Sequence, residues 1–290
     1  MTVHTLTGSC FVITDNYSAY RVLLVLNWGS FIPQVRRLRR KRDSSGVSLT
    51  YVLFNLINAT EQFAFATFLT VNDLGGLLIG DPHSRGDQIN LVQFAGVLFL
   101  WLLIFVSSVR FPSNDNLRGL KLAICPTIYV LYLLFAIVPL FVQRAVPSPS
   151  GPGDAPYEGW IVSWAVIIHQ SYLFPLTSVL CLASLIPQMH LIHSRRRRGS
   201  LSFKGLGIQG TIFVIEAVGW AKRLAFPWDD FKGQPRLNVL ILWYQRVGWI
   251  PFNYLFLALV QKALFWMLIM HRLHGSGRSQ ARERRPLLGW

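Results

Sequence analysis

Acidic side chains are scarce in this chain. Its 290 residues hold 13 Asp and Glu against 28 Lys and Arg, and charged residues make up 14% of the total. A soluble domain carries about 25%. Hydrophobic residues reach 52% and the mean hydropathy is +0.39, so several apolar runs attain the roughly 20 residues that cross a bilayer as a helix. The three cysteines, Cys10, Cys125 and Cys181, supply no disulfide framework. Cys125 and Cys181 lie inside apolar runs and read as small buried hydrophobes. Metal-ligand spacing, a phosphate-binding loop and a nucleophile with a base and an orienting acid are all missing from the pattern. No catalytic residue, metal or cofactor is therefore expected, and the chain does not read as an enzyme. Met1 to Asn16 contains no Lys or Arg, unlike the start of a cleavable signal peptide, so the first apolar run is expected to be retained.

The positive charge that is present says where the chain sits. A net charge of +15 would suit a nucleic-acid binder if the basic residues lined a groove. Instead they fall in short blocks between apolar runs, as in the cytoplasmic loops of a membrane protein. No nucleic-acid partner is expected; the lipid bilayer is. Seven spans follow, at about Tyr17–Val35, Ser48–Leu69, Ile89–Val109, Leu120–Val142, Trp160–Gln188, Phe203–Phe226 and Gly248–Met270, with Leu237–Val247 as an interfacial lead-in to the last. The dense basic segments are Arg36–Arg42; Arg110, Arg118 and Lys121; Arg195–Lys204; and Arg272–Arg285. All would lie on one side of a seven-span chain, which puts the N-terminus outside or in a lumen and the C-terminus in the cytosol.

One string occurs twice. Ser30-Phe31-Ile32-Pro33-Gln34 is matched by Ser184-Leu185-Ile186-Pro187-Gln188, and each copy ends an apolar run before a block of arginines. The spacing is 154 residues, from Pro33 to Pro187, and it persists from Ser48 to Ser202, Asn55 to Gln209 and Gln62 to Glu216. Polar residues that stay in register so far from the motif indicate an internal duplication. Spans one to three and five to seven form the two units. Span four restores the orientation of the second, so the repeats are parallel. With their basic loops and Gly/Ser helix starts (Gly46-Val47-Ser48 and Gly199-Ser200-Leu201-Ser202), the doubled Pro-Gln pairs resemble the PQ-loop family. That family includes cystinosin, vacuolar basic amino acid exporters and, more distantly, the SWEET sugar transporters.

The resemblance covers nearly the whole chain and implies an all-α integral membrane protein with a 3+1+3 arrangement of three-helix bundles. Residues 1–16 would be a luminal or extracellular N-terminus, 17–110 the first bundle, 111–159 the linking helix and luminal loop, 160–271 the second bundle, and 272–290 a cytosolic tail. Parallel repeats would place a site near the midplane, where the two units meet. Proline inside a helix removes a backbone hydrogen bond and bends the helix, so Pro33 and Pro187 are expected to act as hinges. The amides of Gln34 and Gln188 are expected to serve the freed carbonyls; the competing reading is that each proline merely ends its helix.

Polar residues inside the spans give the candidate site. Asn55, Asn58, Glu61 and Gln62 fall within an arc of about 120° on span two, and Gln209 and Glu216, seven apart on span six, within about 20° of one line. Such groups avoid lipid and face protein or water. Asn55, Asn58, Gln62 and Gln209 are the expected substrate-binding residues, against the reading that amides only hold helices together. In transporters similar to cystinosin the second-repeat position is an aspartate linked to proton coupling. Here it is Gln209, which cannot titrate. Glu61, Glu216 and His169 are the replacement candidates, whereas the span-four tyrosines read as interfacial. The expected activity is secondary transport or exchange of a small polar metabolite, an amino acid above all, with protons as the second partner. The alternatives are a non-transporting receptor or trafficking protein of the same fold, as related KDEL receptors suggest, and a sugar facilitator of the SWEET type. The tail, with Glu283, Leu287 and Leu288 beyond a His274-Gly275-Ser276-Gly277 linker, resembles an acidic dileucine signal. It suggests a clathrin-adaptor partner and a vacuolar or lysosomal membrane.

Overall fold

The structure, a computed structural model, describes residues 17–71, 85–111, 118–145, 164–194, 200–224, 226 and 228–283. Among these residues there are seven helices and no strand. They are α1 (Tyr17–Lys41), α2 (Leu49–Val71), α3 (Arg85–Arg110), α4 (Arg118–Ala145), α5 (Trp164–Ser194), α6 (Phe203–Arg223) and α7. The last runs as Arg236–Trp243, a π turn Tyr244–Gly248, and Trp249–Glu283. α5 likewise contains a π turn, His169–Leu173, and a one-residue turn at Ser184.

Stretches of α3, α4, α5 and α7 are long and apolar enough to cross a membrane, namely Gly86–Arg110, Gly119–Ile137, Trp164–Ser194 and Arg236–His271. The other three helices fall short for a physical reason. α1 ends in Arg36-Arg37-Leu38-Arg39-Arg40-Lys41. α2 carries Asn55, Asn58, Glu61 and Gln62, all buried, and α6 carries the buried Gln209 and Glu216. Their polarity faces protein, not lipid. α4 is the opposite case, with Val130, Leu131, Leu134 and Phe135 exposed on its outer face.

The packing pairs the helices in two matching sets. α3 lies against both α1 and α2, and α7 lies against both α5 and α6. Across the middle α1 packs on α6 and α2 on α5, while α4 leans on α2. Each first-set contact thus has a counterpart in the second. α1 and α3 approach closely at Gly96, where an added Cβ would lie 2.1 Å from the Trp28 ring. Replacing Gly96 with alanine should therefore push that ring out of its seat and cost about 1–3 kcal/mol. The check is the melting temperature of the purified protein in detergent, which should fall.

Several expectations are corrected by the helix bounds. Neither proline ends its helix: α1 continues eight residues past Pro33 to Lys41, and α5 seven past Pro187 to Ser194. The terminator reading is therefore excluded. Leu237–Val247 is no separate lead-in; helix begins at Arg236 and runs on through the π turn Tyr244–Gly248 into Trp249–Glu283. Helix also runs through His274-Gly275-Ser276-Gly277 as far as Glu283, so that segment is not the flexible linker its composition suggested. Leu287 and Leu288 lie outside the described residues.

Candidate functional site

The doubled motif proves to be a pair of crossed helix caps. A helix start leaves backbone N–H groups without partners, and at α2 and at α6 a serine fills one of them. Ser48 Oγ accepts from Tyr51 N at 3.4 Å and Ser202 Oγ from Gly205 N at 3.1 Å. The N–H of the serine itself is then satisfied by the other unit's glutamine. Gln188 Oε1 accepts from Ser48 N at 2.8 Å, and Gln34 Oε1 from Ser202 N at 2.7 Å. The amide nitrogens complete the exchange, Gln188 Nε2 donating to Gly46 O at 2.8 Å and Gln34 Nε2 to Ser200 O at 3.5 Å. This corrects the expected role of the two amides. They do not serve the carbonyls that Pro33 and Pro187 release; they tie α1 to the start of α6 and α5 to the start of α2. Ser200 Oγ adds a bond to Asp43 O, and Gly46 turns the chain into α2 with φ +85°, a conformation glycine adopts at little cost.

Further along the interface, polar side chains gather in three groups. The first surrounds Glu61. His169 Nδ1 lies 2.5 Å from Glu61 Oε1 and Tyr132 Oη donates to Glu61 Oε2 at 2.5 Å, so one buried carboxyl group joins α2, α4 and α5. Phe65 and Phe68 cover the imidazole at ring distances of 5.3 and 6.5 Å. His169 opens the π turn of α5, a distortion that inserts an extra residue and re-aims a side chain. Glu61 and His169 were separate candidates in the sequence and are one unit here. Tyr132 was read as interfacial and is corrected: it is a ligand of the carboxylate.

The second group surrounds Glu216. Gln93 Nε2 donates to Glu216 Oε2 at 2.9 Å and approaches Tyr254 Oη at 3.4 Å, and Asn27 Nδ2 donates to the same phenol at 3.2 Å. One turn or two along α6, Arg223 is also buried, with Nη1 donating to Asn90 Oδ1 at 3.2 Å and the guanidinium 4.3 Å above the Tyr20 ring.

The third group lies between the first two and the caps. Asn55 Nδ2 donates to Tyr51 O at 2.7 Å and to Ser184 Oγ at 3.2 Å, reaching α5 at its turn. Gln261 Nε2 donates to Tyr51 Oη at 2.7 Å. Gln209 lines a small cavity of about 10 Å³ with Gln34, Tyr51 and Trp101, room for a single water. Asn58 and Gln62 are buried on α2. Tyr51 therefore touches the surroundings of both Asn55 and Gln209, the two positions paired by the 154-residue spacing. A wider groove of about 490 Å³ opens between α2, α4 and α5, lined by Phe54, Lys121, Pro187 and His190 among others, but none of the substrate-binding candidates reaches it.

Sequence reasoning passed over Gln93, Asn253, Gln261 and Arg223, and set Tyr132 aside as interfacial. Asn253 Oδ1 accepts from Ser178 Oγ at 2.7 Å, and Ser178 Oγ lies 3.0 Å from Tyr244 Oη at the π turn of α7. The same rule that singled out Asn55, a lone amide inside an apolar run, would have found Gln93, Asn253 and Gln261. In the segment between α6 and α7, Lys232 Nζ pairs with Asp229 at 2.7 Å, and that bond raises the lysine pKa. No protein-family model matches the chain, and neither a curated protein nor a solved structure does so significantly.

Proposed function

We propose that the chain is a seven-span secondary transporter of PQ-loop type, built as two parallel three-helix units joined by α4. It moves a small polar metabolite, an amino acid above all, by alternating access across a vacuolar or lysosomal membrane. The observation that carries this reading is the crossed pair of glutamine caps. Equivalent residues of two matched helix sets hold each other through equivalent bonds, at the end of the molecule where the basic segment Arg36–Arg42 lies. By the positive-inside rule that end faces the cytosol, the N-terminus faces the lumen, and the caps form the cytosolic closure. Opening towards the cytosol separates α1 from α6 and α5 from α2, and breaks both caps together.

The interior then supplies what a pathway needs. Asn55, Asn58, Gln62 and Gln209 offer uncharged hydrogen-bonding groups between the units, several with atoms that have no protein partner: Asn55 Oδ1, Asn58 Oδ1 and Gln209 Nε2. The proton site is the Glu61–His169 pair. It alone among the candidates joins two titratable groups across the α2–α5 interface, so a proton gained or lost there bears on the contact that moves. The deciding measurement is uptake into proteoliposomes of labelled amino acids and sugars, with and without an imposed pH gradient. Amino-acid uptake driven by the gradient is the expected result. Sugar uptake indifferent to pH would make it a facilitator, and folded protein that moves neither would make it a receptor.

The caps carry a prediction of their own. Gln188→Ala and Gln34→Ala each leave a buried helix-start N–H and a carbonyl without partners, at about 1–3 kcal/mol per group. If both belong to one closure, either variant should make the cytosolic end more accessible to a membrane-impermeant thiol reagent at a cysteine introduced at Ser200. Equal labelling in wild type and variants would reject the closure.

A further inference from the structure

The Glu216 group holds two opposite charges that do not meet. Glu216 is fully buried and Arg223 is 7% exposed, both on the face of α6 that packs inward, two turns or about 10 Å apart. Glu216 Oε2 is held by Gln93, yet Oε1 has no hydrogen-bond partner in the protein. Arg223 uses Nη1 on Asn90, yet Nε and Nη2, one side of the guanidinium fork, have none. Around the carboxylate two more acceptors stand unused, Gln93 Oε1 and Asn27 Oδ1. An unpaired buried polar atom is destabilising, more so when charged. Seven residues apart on one helix, the two charges lie beyond the three- and four-residue spacing at which helix side chains meet. Here Gln93 and Asn27 flank the acid, while Tyr20 and Trp220 hold the guanidinium from its faces at 4.3 and 5.0 Å.

The unused atoms of Glu216, Gln93 and Asn27 are acceptors; those of Arg223 are donors, presented as the planar edge that binds a carboxylate through two parallel bonds. The geometry points to a site for a zwitterion: the ammonium of a free amino acid on Glu216, Gln93 and Asn27, and its carboxylate on the open edge of Arg223. This rests on the transport reading and deepens it, since it names the class of solute and the residues that recognise its two invariant groups. It leaves the amino-acid side chain to the uncharged amides nearer the caps.

The test uses the full-length protein in proteoliposomes and a labelled mixture of the common amino acids, competed by the same mixture with its amines acetylated or its carboxylates amidated. A site built to bind both charged groups rejects analogues lacking either, so each derivative should compete about 100-fold or more weakly than the free amino acids. Glu216→Gln should erase the discrimination against acetylated compounds only, and Arg223→Lys the discrimination against amides only, in protein that elutes normally on size exclusion. The competition series on the wild type needs no variant and stands if either fails to fold. Derivatives that compete as well as free amino acids would overturn the site and leave transport intact, with water as the partner of the unused atoms. Uptake of sugars but not amino acids would do the same. Folded protein that transports no solute would remove the transport reading itself.

Discussion

Glu61→Gln is expected to abolish the response of uptake to a pH gradient while leaving substrate-for-substrate exchange largely intact. The amide keeps the shape of the carboxylate, so Tyr132 Oη and the His169 ring retain a neighbour of the same size. What it loses is the carboxyl group's ability to take up and release a proton. Exchange needs the pathway to turn over loaded and does not need the proton to leave. Net uptake against a gradient needs both. Glu61→Leu separates this from a packing role, because it strips a partner from the imidazole and the phenol at once, and each unpaired group costs about 1–3 kcal/mol. Loss of folded protein in the leucine variant with a folded, pH-insensitive glutamine variant is the expected pattern. A glutamine variant whose uptake still follows the gradient would move the proton elsewhere.

Trp249→Ala should have the largest effect on stability. The indole is fully buried at the start of the long segment of α7. It stacks on Phe174 of α5 at 4.1 Å and 15°, meets Phe65 of α2 edge-on at 5.9 Å, and lies 6.5 Å from Phe94 of α3. One ring thus joins helices of both sets. Between helices in lipid the hydrophobic effect contributes little and packing contributes most, so the cavity left behind is the main cost. For Trp→Ala that is about 3–5 kcal/mol, a large share of a typical total stability. The variant should elute as aggregate from a sizing column in mild detergent. Trp266→Ala, an exposed tryptophan on the same helix, should elute as wild type.

How much of this was legible in the chain depended on distance. The 154-residue spacing was readable because Pro33 and Pro187, Ser48 and Ser202, Asn55 and Gln209 keep it. The bounds of α2, α3, α4 and α6 were readable to within about four residues because lipid-length runs and basic blocks mark their ends, whereas α7 extends about a dozen residues beyond its expected span at each end. The crossed caps were not readable. Gln34 and the serine N–H that donates to it are 168 residues apart, and Gln188 and its serine 140, and a repeat spacing does not say whether a glutamine serves its own half of the chain or the other. The Glu61–His169–Tyr132 group was half readable: two of its members stood out as titratable groups in apolar runs, but a tyrosine near a helix middle looks the same whether it faces lipid or a carboxylate. The π turns at His169 and Tyr244 leave no mark in an apolar stretch, since one extra residue changes the face a side chain presents without changing composition. The glycines of 275–277 misled in the other direction, because glycine weakens a helix without forbidding it.

The crossed caps also bear on ancestry. Each glutamine meets a serine-started helix that its own unit possesses as well, so the bond set is self-complementary, as at the face of a two-fold dimer. A chain of half this length, pairing with a copy of itself, would find the same two bonds without altering a residue of the motif. Fusion of two such copies needs an odd number of added crossings to keep both facing the same way, and α4 is one. Once fused, the copies were free to diverge wherever the bonds did not hold them. At that spacing Glu61 stands against Ile215 and Asn27 against Cys181, so on the transport reading proposed above the two halves would differ at the proton site and at the solute site.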